Sequence, residues 1–219
     1  MKFHIIECKS ELIFEDIISV LMKRNINHFL NVKFDSLTLT ATFYKEMKRL
    51  EKTVDRDGKE SLISFDYYLY QNFSFHNMNN RLFLVIHEPS KYTKYFLEFI
   101  HTSFGLKLSF KNKKIDLKKF INKAESLNQF QVLKARFNEL SLSKNSKGSL
   151  EVTSTENAIL DFEKIFGDIY YDLAKIKFSY FDESTYTIEL SKNGLIIASK
   201  HSDLRLKMVS KLIALLFYD

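Results

Sequence analysis

The sequence predicts an α+β fold, with an antiparallel sheet built from repeated hairpin–helix units and helices mainly on one face. Three observations carry that expectation. Period-two alternation of apolar and polar residues recurs in stretches bounded by turn residues, as in strands with one buried face. Amphipathic stretches of helical spacing follow several of these strand pairs. One proline and five glycines in 219 residues leave little material for long irregular loops.

Taken in order, Lys2 to Glu7 reads as a short strand, and Ser10-Glu11 opens a helix with Leu12, Ile13, Ile17, Val20 and Leu21 on one face. Alternation from Val32 to Phe43 predicts one long strand. The charged stretch 45–60 ends in Asp55-Arg56-Asp57-Gly58, a turn that links residues 35–54 to 61–70 as a hairpin. An aromatic strand covers Leu62 to Phe75. After a turn at Asn77 to Asn80, Arg81 to His87 is the strongest buried-strand candidate, and a helix runs from Lys91 to about Phe104, with Gly105 at its cap. Leu106 to Phe110 predicts a strand and Leu117 to Leu127 a short helix.

The remaining chain repeats a scheme. Val132 to Ser143 alternates, turns at residues 144–148 and returns through Ser149 to Thr153, after which Thr155 caps a helix to about Phe166. Strands at Lys175 to Tyr180 and Thr185 to Leu190 precede an Asn193-Gly194 turn, a return through Leu195 to Ser199, and a Ser202-capped helix to the end. Glu139 to Asn145 echoes Ile188 to Asn193, which suggests duplication or the chance recurrence of a common unit. A single domain over residues 1–219 is expected, with a soft boundary near residues 125–130.

Composition bounds the class. Phe, Ile, Lys and Asn are favoured over Gly, Pro and Ala, as in AT-rich genomes of bacteria or phage. The lone Cys8 forms no internal disulfide and completes no CxxC zinc pattern, so a reducing, cytoplasmic setting is expected. No secretory signal is legible, and the apolar stretch Met208 to Tyr218 is about half a bilayer span. No membrane role is expected.

Charge is the strongest local signal. Seven lysines, Lys107, Lys111, Lys113, Lys114, Lys118, Lys119 and Lys123, stand against one acid, Asp116, and seven minus one equals the net charge of the chain, +6. Such a surplus suits an anionic partner, DNA or RNA, and Phe110 and Phe120 are interleaved with it. The alternative is a solvated lysine face. Tyr68 and Tyr70 fall on the strand face opposite Phe65, Tyr67, Phe73 and Phe75, and keep polar tips for a ligand.

Catalytic patterns are missing. The six histidines never pair at helical spacing, no GxGxxG, P-loop or GxSxG elbow occurs, and five scattered glycines could not build a phosphate loop. Glu7-Cys8-Lys9 lacks the preceding acidic strand of a restriction-type nuclease, and Asp55 to Gly58 lacks the distal Glu of a calcium loop. No cofactor or metal is expected. The leading expectation is a non-catalytic binding protein that contacts nucleic acid, or a nucleic-acid-processing partner, through the lysine-rich region. A second is a protein-interaction subunit of a phage-defence or counter-defence assembly, or self-association, through Leu212, Leu216 and Phe217 of the apolar C-terminal helix. A divergent enzyme using Asp66, His87 and Glu88 is the third.

Overall fold

A computed structural model describes residues 1–111, 114–127, 129–167, 169–182, 184–199 and 205–218. Eleven strands and five α-helices lie among the described residues, an α+β protein with antiparallel strand pairing. The chain divides into two units, the first of residues 7–111 and the second of residues 1–6 with 112–219. Strand β1 (Lys2–Ser10) contributes residues to both.

In the first unit, β1 is followed by α1 (Phe14–His28), β2 (Phe29–Phe34), β3 (Thr38–Val54), β4 (Glu60–Met78), β5 (Arg81–His87), α2 (Thr93–Phe104) and β6 (Leu108–Phe110). The order across the sheet is β2-β3-β4-β5-β1, with β6 on β1. The single strand read over 32–43 is two strands. Asp35 Oδ1 accepts from the amides of Leu37 at 2.8 Å and Thr38 at 2.7 Å, closing a side-chain turn where the apolar positions slip from even (Val32, Phe34) to odd (Leu37, Leu39). Ser10 does not cap α1. It pairs with Leu108 as the end of β1, its hydroxyl accepts from the Leu12 amide, and α1 begins at Phe14.

The core of this unit is aromatic. Helix α2 lays Phe96, Ile100 and Phe104 against the sheet, with the Phe96 ring centroid 4.8 Å from Phe73 and 5.5 Å from Phe43. Strands β3 and β4 stay paired from Thr38↔His76 to Val54↔Glu60. Near their roots Leu39, Phe43, Phe73 and Phe75 are buried, whereas Leu50, Val54, Leu62, Ile63 and Phe65 near the far end are exposed. The far half is therefore a two-stranded arm beyond the core.

The second unit contains α3 (Leu117–Ala124), β7 (Gln131–Ser143), β8 (Ser146–Thr153), α4 (Ala158–Phe166), β9 (Asp172–Asp182), β10 (Ser184–Ser191), β11 (Leu195–Ala198) and α5 (Arg205–Phe217). Its strand order is β1-β11-β10-β9-β7-β8. Phe178 of β9 lies opposite Val132 and Ile188, and Ile176 opposite Ala135 and Leu190, all buried. Helix α3 sets Phe120 5.2 Å from Phe178, and α4 stacks Phe162 on Phe137 at 3.9 Å. Asn157, not Thr155, caps α4, because its Oδ1 reaches the amides of Ile159 and Leu160. The Ser202 cap read from the sequence lies outside the described residues. Gly194 has φ +81°, and a Cβ there would meet the Ile5 carbonyl oxygen at 2.7 Å. Among the described residues no helix is long and apolar enough to cross a membrane.

Candidate nucleic-acid interface

The packing of the second unit determines what its other sheet face carries. In β9, Ile176 and Phe178 point into the core, so Lys175 and Lys177 point away from it. In β7, Ala135 and Phe137 are buried, so Lys134 and Arg136 take the same outer face. The register then sets Lys134 directly opposite Lys177 and Arg136 directly opposite Lys175. A bulge between Val132 and Lys134 produces this alignment.

Like charges directly opposite one another on a sheet are destabilising. Two carboxylates partly offset the repulsion: Lys134 Nζ lies 2.6 Å from Glu151, and Lys175 Nζ lies 2.8 Å from Glu189. The hydrogen bond from Lys134 holds the Glu151 carboxyl below the usual carboxylate range, helped by the charges of Lys134, Lys175 and Arg136. Four cations against two anions leave the cluster at +2. The row through Lys177 continues across Glu189 and the exposed Ile197 to Lys2. This is a positively charged face spread over several strands, flanked by Thr153 opposite Lys134 and by the neighbouring pair Ser179 and Thr187.

The lysines singled out from sequence are distributed differently. Lys107 and Lys111 belong to the first unit and Lys114, Lys118, Lys119 and Lys123 to the second, while Lys113 lies outside the described residues. Lys111 Nζ binds the buried Glu7 at 2.6 Å, Lys118 sits 3.9 Å over the Tyr171 ring, and Lys123 donates to the Tyr218 carbonyl. Lys107, Lys114 and Lys119 are exposed. Phe120 is buried, so α3 packs on the Phe178 side of the sheet and not on the side of Lys175 and Lys177.

Tyr68 and Tyr70 are 54% and 61% exposed, side by side on one face of the arm with ring centroids 6.4 Å apart. Leu212 is buried in the core of the second unit, and Leu216 and Phe217 are half-buried. Asp66 lies on the arm opposite Lys48, six residues along β4 from Asn72. Phe73 pairs with Ile86, the residue before His87, so Asp66 and His87 are about 20 Å apart along the strand direction. His87 shares the Ser74 hydroxyl with His76, at 3.1 and 2.9 Å.

A cavity of about 560 Å³ in the first unit is bordered by Glu7, Arg81 and Lys111. The Glu7 carboxylate is anchored by Arg81 at 2.9 Å as well as by Lys111, and these two cations keep its pKa low against the opposing effect of burial. Among the described residues no group of three or more His, Cys, Asp or Glu could hold a metal. Neither a protein-family model nor a curated protein matches the chain.

The cluster Lys134, Arg136, Lys175 and Lys177 was missed from sequence. Its signal was there in part: Lys-x-Arg and Lys-x-Lys interrupt two strands whose alternate positions are apolar. Only the pairing register turns those two tripeptides into one patch.

Proposed function

We propose that the protein is a non-catalytic nucleic-acid-binding protein whose second unit contacts the phosphate backbone through Lys134, Arg136, Lys175 and Lys177. The observation that carries this reading is the pair of directly opposed like charges, Lys134↔Lys177 and Arg136↔Lys175. Such an arrangement costs stability in the free protein and is relieved when anionic phosphates lie over it. The proposal includes hairpin–helix units with helices mainly over one sheet face, which leaves the opposite face for ligand. The exposed Lys107, Lys114 and Lys119 supply further, weaker attraction, and Tyr68 and Tyr70 offer rings for stacking.

Lysine dominates the face, and lysine lacks the bidentate fork with which arginine reads guanine. Binding should therefore track the backbone with little sequence preference. Anisotropy titration of labelled single-stranded and duplex oligonucleotides at about 50 mM salt tests this, with affinity expected to fall steeply as salt rises. Absence of binding to any DNA or RNA under those conditions would falsify the reading.

A further inference from the structure

The two outer edges of the β3–β4 arm are not equivalent. Past Phe43, where β2 ends its pairing, β3 runs from Lys45 to Val54 with six charged residues in ten. Before Phe73, where β5 begins its pairing, β4 runs from Ser61 to Tyr70 with one charged residue in ten, Asp66. Natural sheets protect exposed edges with charges, prolines or bulges. The β3 edge is guarded in this way and the β4 edge is not.

The β4 edge is also open at the backbone. The Asn77 amide donates to Leu37 and the Asp55 amide to Lys59, so odd-numbered residues of β4 bond toward β3. Even-numbered ones bond toward β5 through Met78↔Arg81, the pair that closes the two-residue turn Asn79-Asn80, both with positive φ. At Asn72 the carbonyl accepts from the Gln71 side chain. From Tyr70 back to Glu60, the even residues direct their amides and carbonyls to an edge where the described residues place no strand.

We infer that this edge is a homodimer interface, in which Glu60 to Tyr70 of one copy pairs antiparallel with the same segment of a second copy. The register using the whole open edge is centred on Phe65. It sets Phe65 against Phe65, Ile63 against Tyr67, Leu62 against Tyr68 and Ser64 against Asp66, with no like charges opposed. Aromatic–aromatic and aromatic–aliphatic pairs of this kind are the stabilising cross-strand pairs of sheets. The same self-complementarity favours a second copy over an unrelated strand, since a closed two-fold pair needs one patch to match itself. It covers Leu62, Ile63, Phe65 and Tyr68, each more than 40% exposed in the single chain. The inference is independent of the phosphate contacts, because none of the sheet-face cations lies on the arm, but it covers Tyr68, so pairing at this edge and base stacking on that ring exclude each other.

The test is sedimentation velocity on the full chain without nucleic acid, from about 1 to 100 µM, with a dimer expected to form as concentration rises. Ser64→Pro deletes one outward amide, and Phe65→Lys sets two ammonium groups face to face. Each should raise the dimer Kd by at least about tenfold while leaving circular dichroism unchanged. If Ser64→Pro unfolds, Phe65→Lys answers the same question from an already exposed position. The register is tested by Phe65→Cys, whose Cβ atoms would face each other at about 4.5–5.5 Å, near disulfide range. With diamide as oxidant it should cross-link faster than Leu50→Cys on the guarded strand, and the native Cys8 is buried. A monomer throughout that range, or cross-linking of Phe65→Cys no faster than that of Leu50→Cys, overturns the inference.

Discussion

His76 is 2% exposed and shares the fully buried Ser74 hydroxyl with His87. Burial, reinforced by the neighbouring His87, pushes its imidazole down to about 4 from an ordinary value of 6.5. The folded protein therefore keeps His76 neutral where the unfolded chain already binds a proton. Stability from this residue is fully present above pH 6.5 and declines as pH falls from 6.5 to about 4, by at most about 3 kcal/mol. Urea unfolding of wild type and His76→Gln at pH 7.5 and 4.5 isolates the contribution. The variant should lose less stability on acidification, and an identical loss would refute the assignment. Glu7 presents the opposite case, a buried carboxylate held ionised by Arg81 and Lys111. Glu7→Ala removes the carboxylate that both cations bind and should cost on the order of 2 kcal/mol. That is less than for fully buried pairs, because both partners retain solvent access. An unchanged denaturation midpoint would contradict this.

Capping and turn chemistry set the stability of the individual elements. The Asn157 side chain satisfies two otherwise unbonded amides at the start of α4, so Asn157→Ala should cost about 1 kcal/mol and Thr155→Ala much less. Gly194→Ala should cost about 1–3 kcal/mol, since it adds left-handed strain to a collision with the Ile5 carbonyl. Thermal denaturation of the three variants checks this ranking. The same local chemistry explains which elements could be read directly. Strand β5 coincides with the stretch expected at Arg81 to His87, because five successive buried apolar residues leave no other reading. The β10–β11 turn was legible from Asn193-Gly194. The β2–β3 turn was marked only by a slip of one residue in the alternation, from even positions at Val32 and Phe34 to odd positions from Leu37 onward, which a reading of the stretch as one strand passes over. The length of the arm was legible from its turn, since Asp55 to Gly58 predicts the hairpin of residues 35–54 with 61–70 and β3 pairs with β4 as far as Val54↔Glu60. Residues 45–54 are charged at most positions, and their strand character comes from pairing with β4 and not from a buried face of their own.

At the scale of the whole molecule, the question is whether nucleic acid would respond to total charge or to its placement. The linear charge count singled out residues 107–123 because lysines adjacent in sequence are conspicuous. The sheet-face cluster comes from strands about 40 residues apart, and its charge is masked in composition by Glu151 and Glu189. Two triple variants separate these contributions. Arg136→Gln with Lys175→Gln and Lys177→Gln removes three charges from the sheet face. Lys107→Gln with Lys114→Gln and Lys119→Gln removes three exposed charges from the sequence-conspicuous segment. Each lowers the formal net charge from +6 to +3, so long-range attraction is matched between them. If the face makes the phosphate contacts, the first variant should weaken single-strand binding at least tenfold and flatten the log–log salt slope by about 2. The second should weaken binding less than about threefold and leave that slope nearly unchanged, because diffuse attraction is largely screened beyond a Debye length. Equal losses in the two variants, measured by anisotropy over a salt series, would mean that net charge alone attracts the nucleic acid. The opposed cation pairs would then be only a tolerated strain in the sheet.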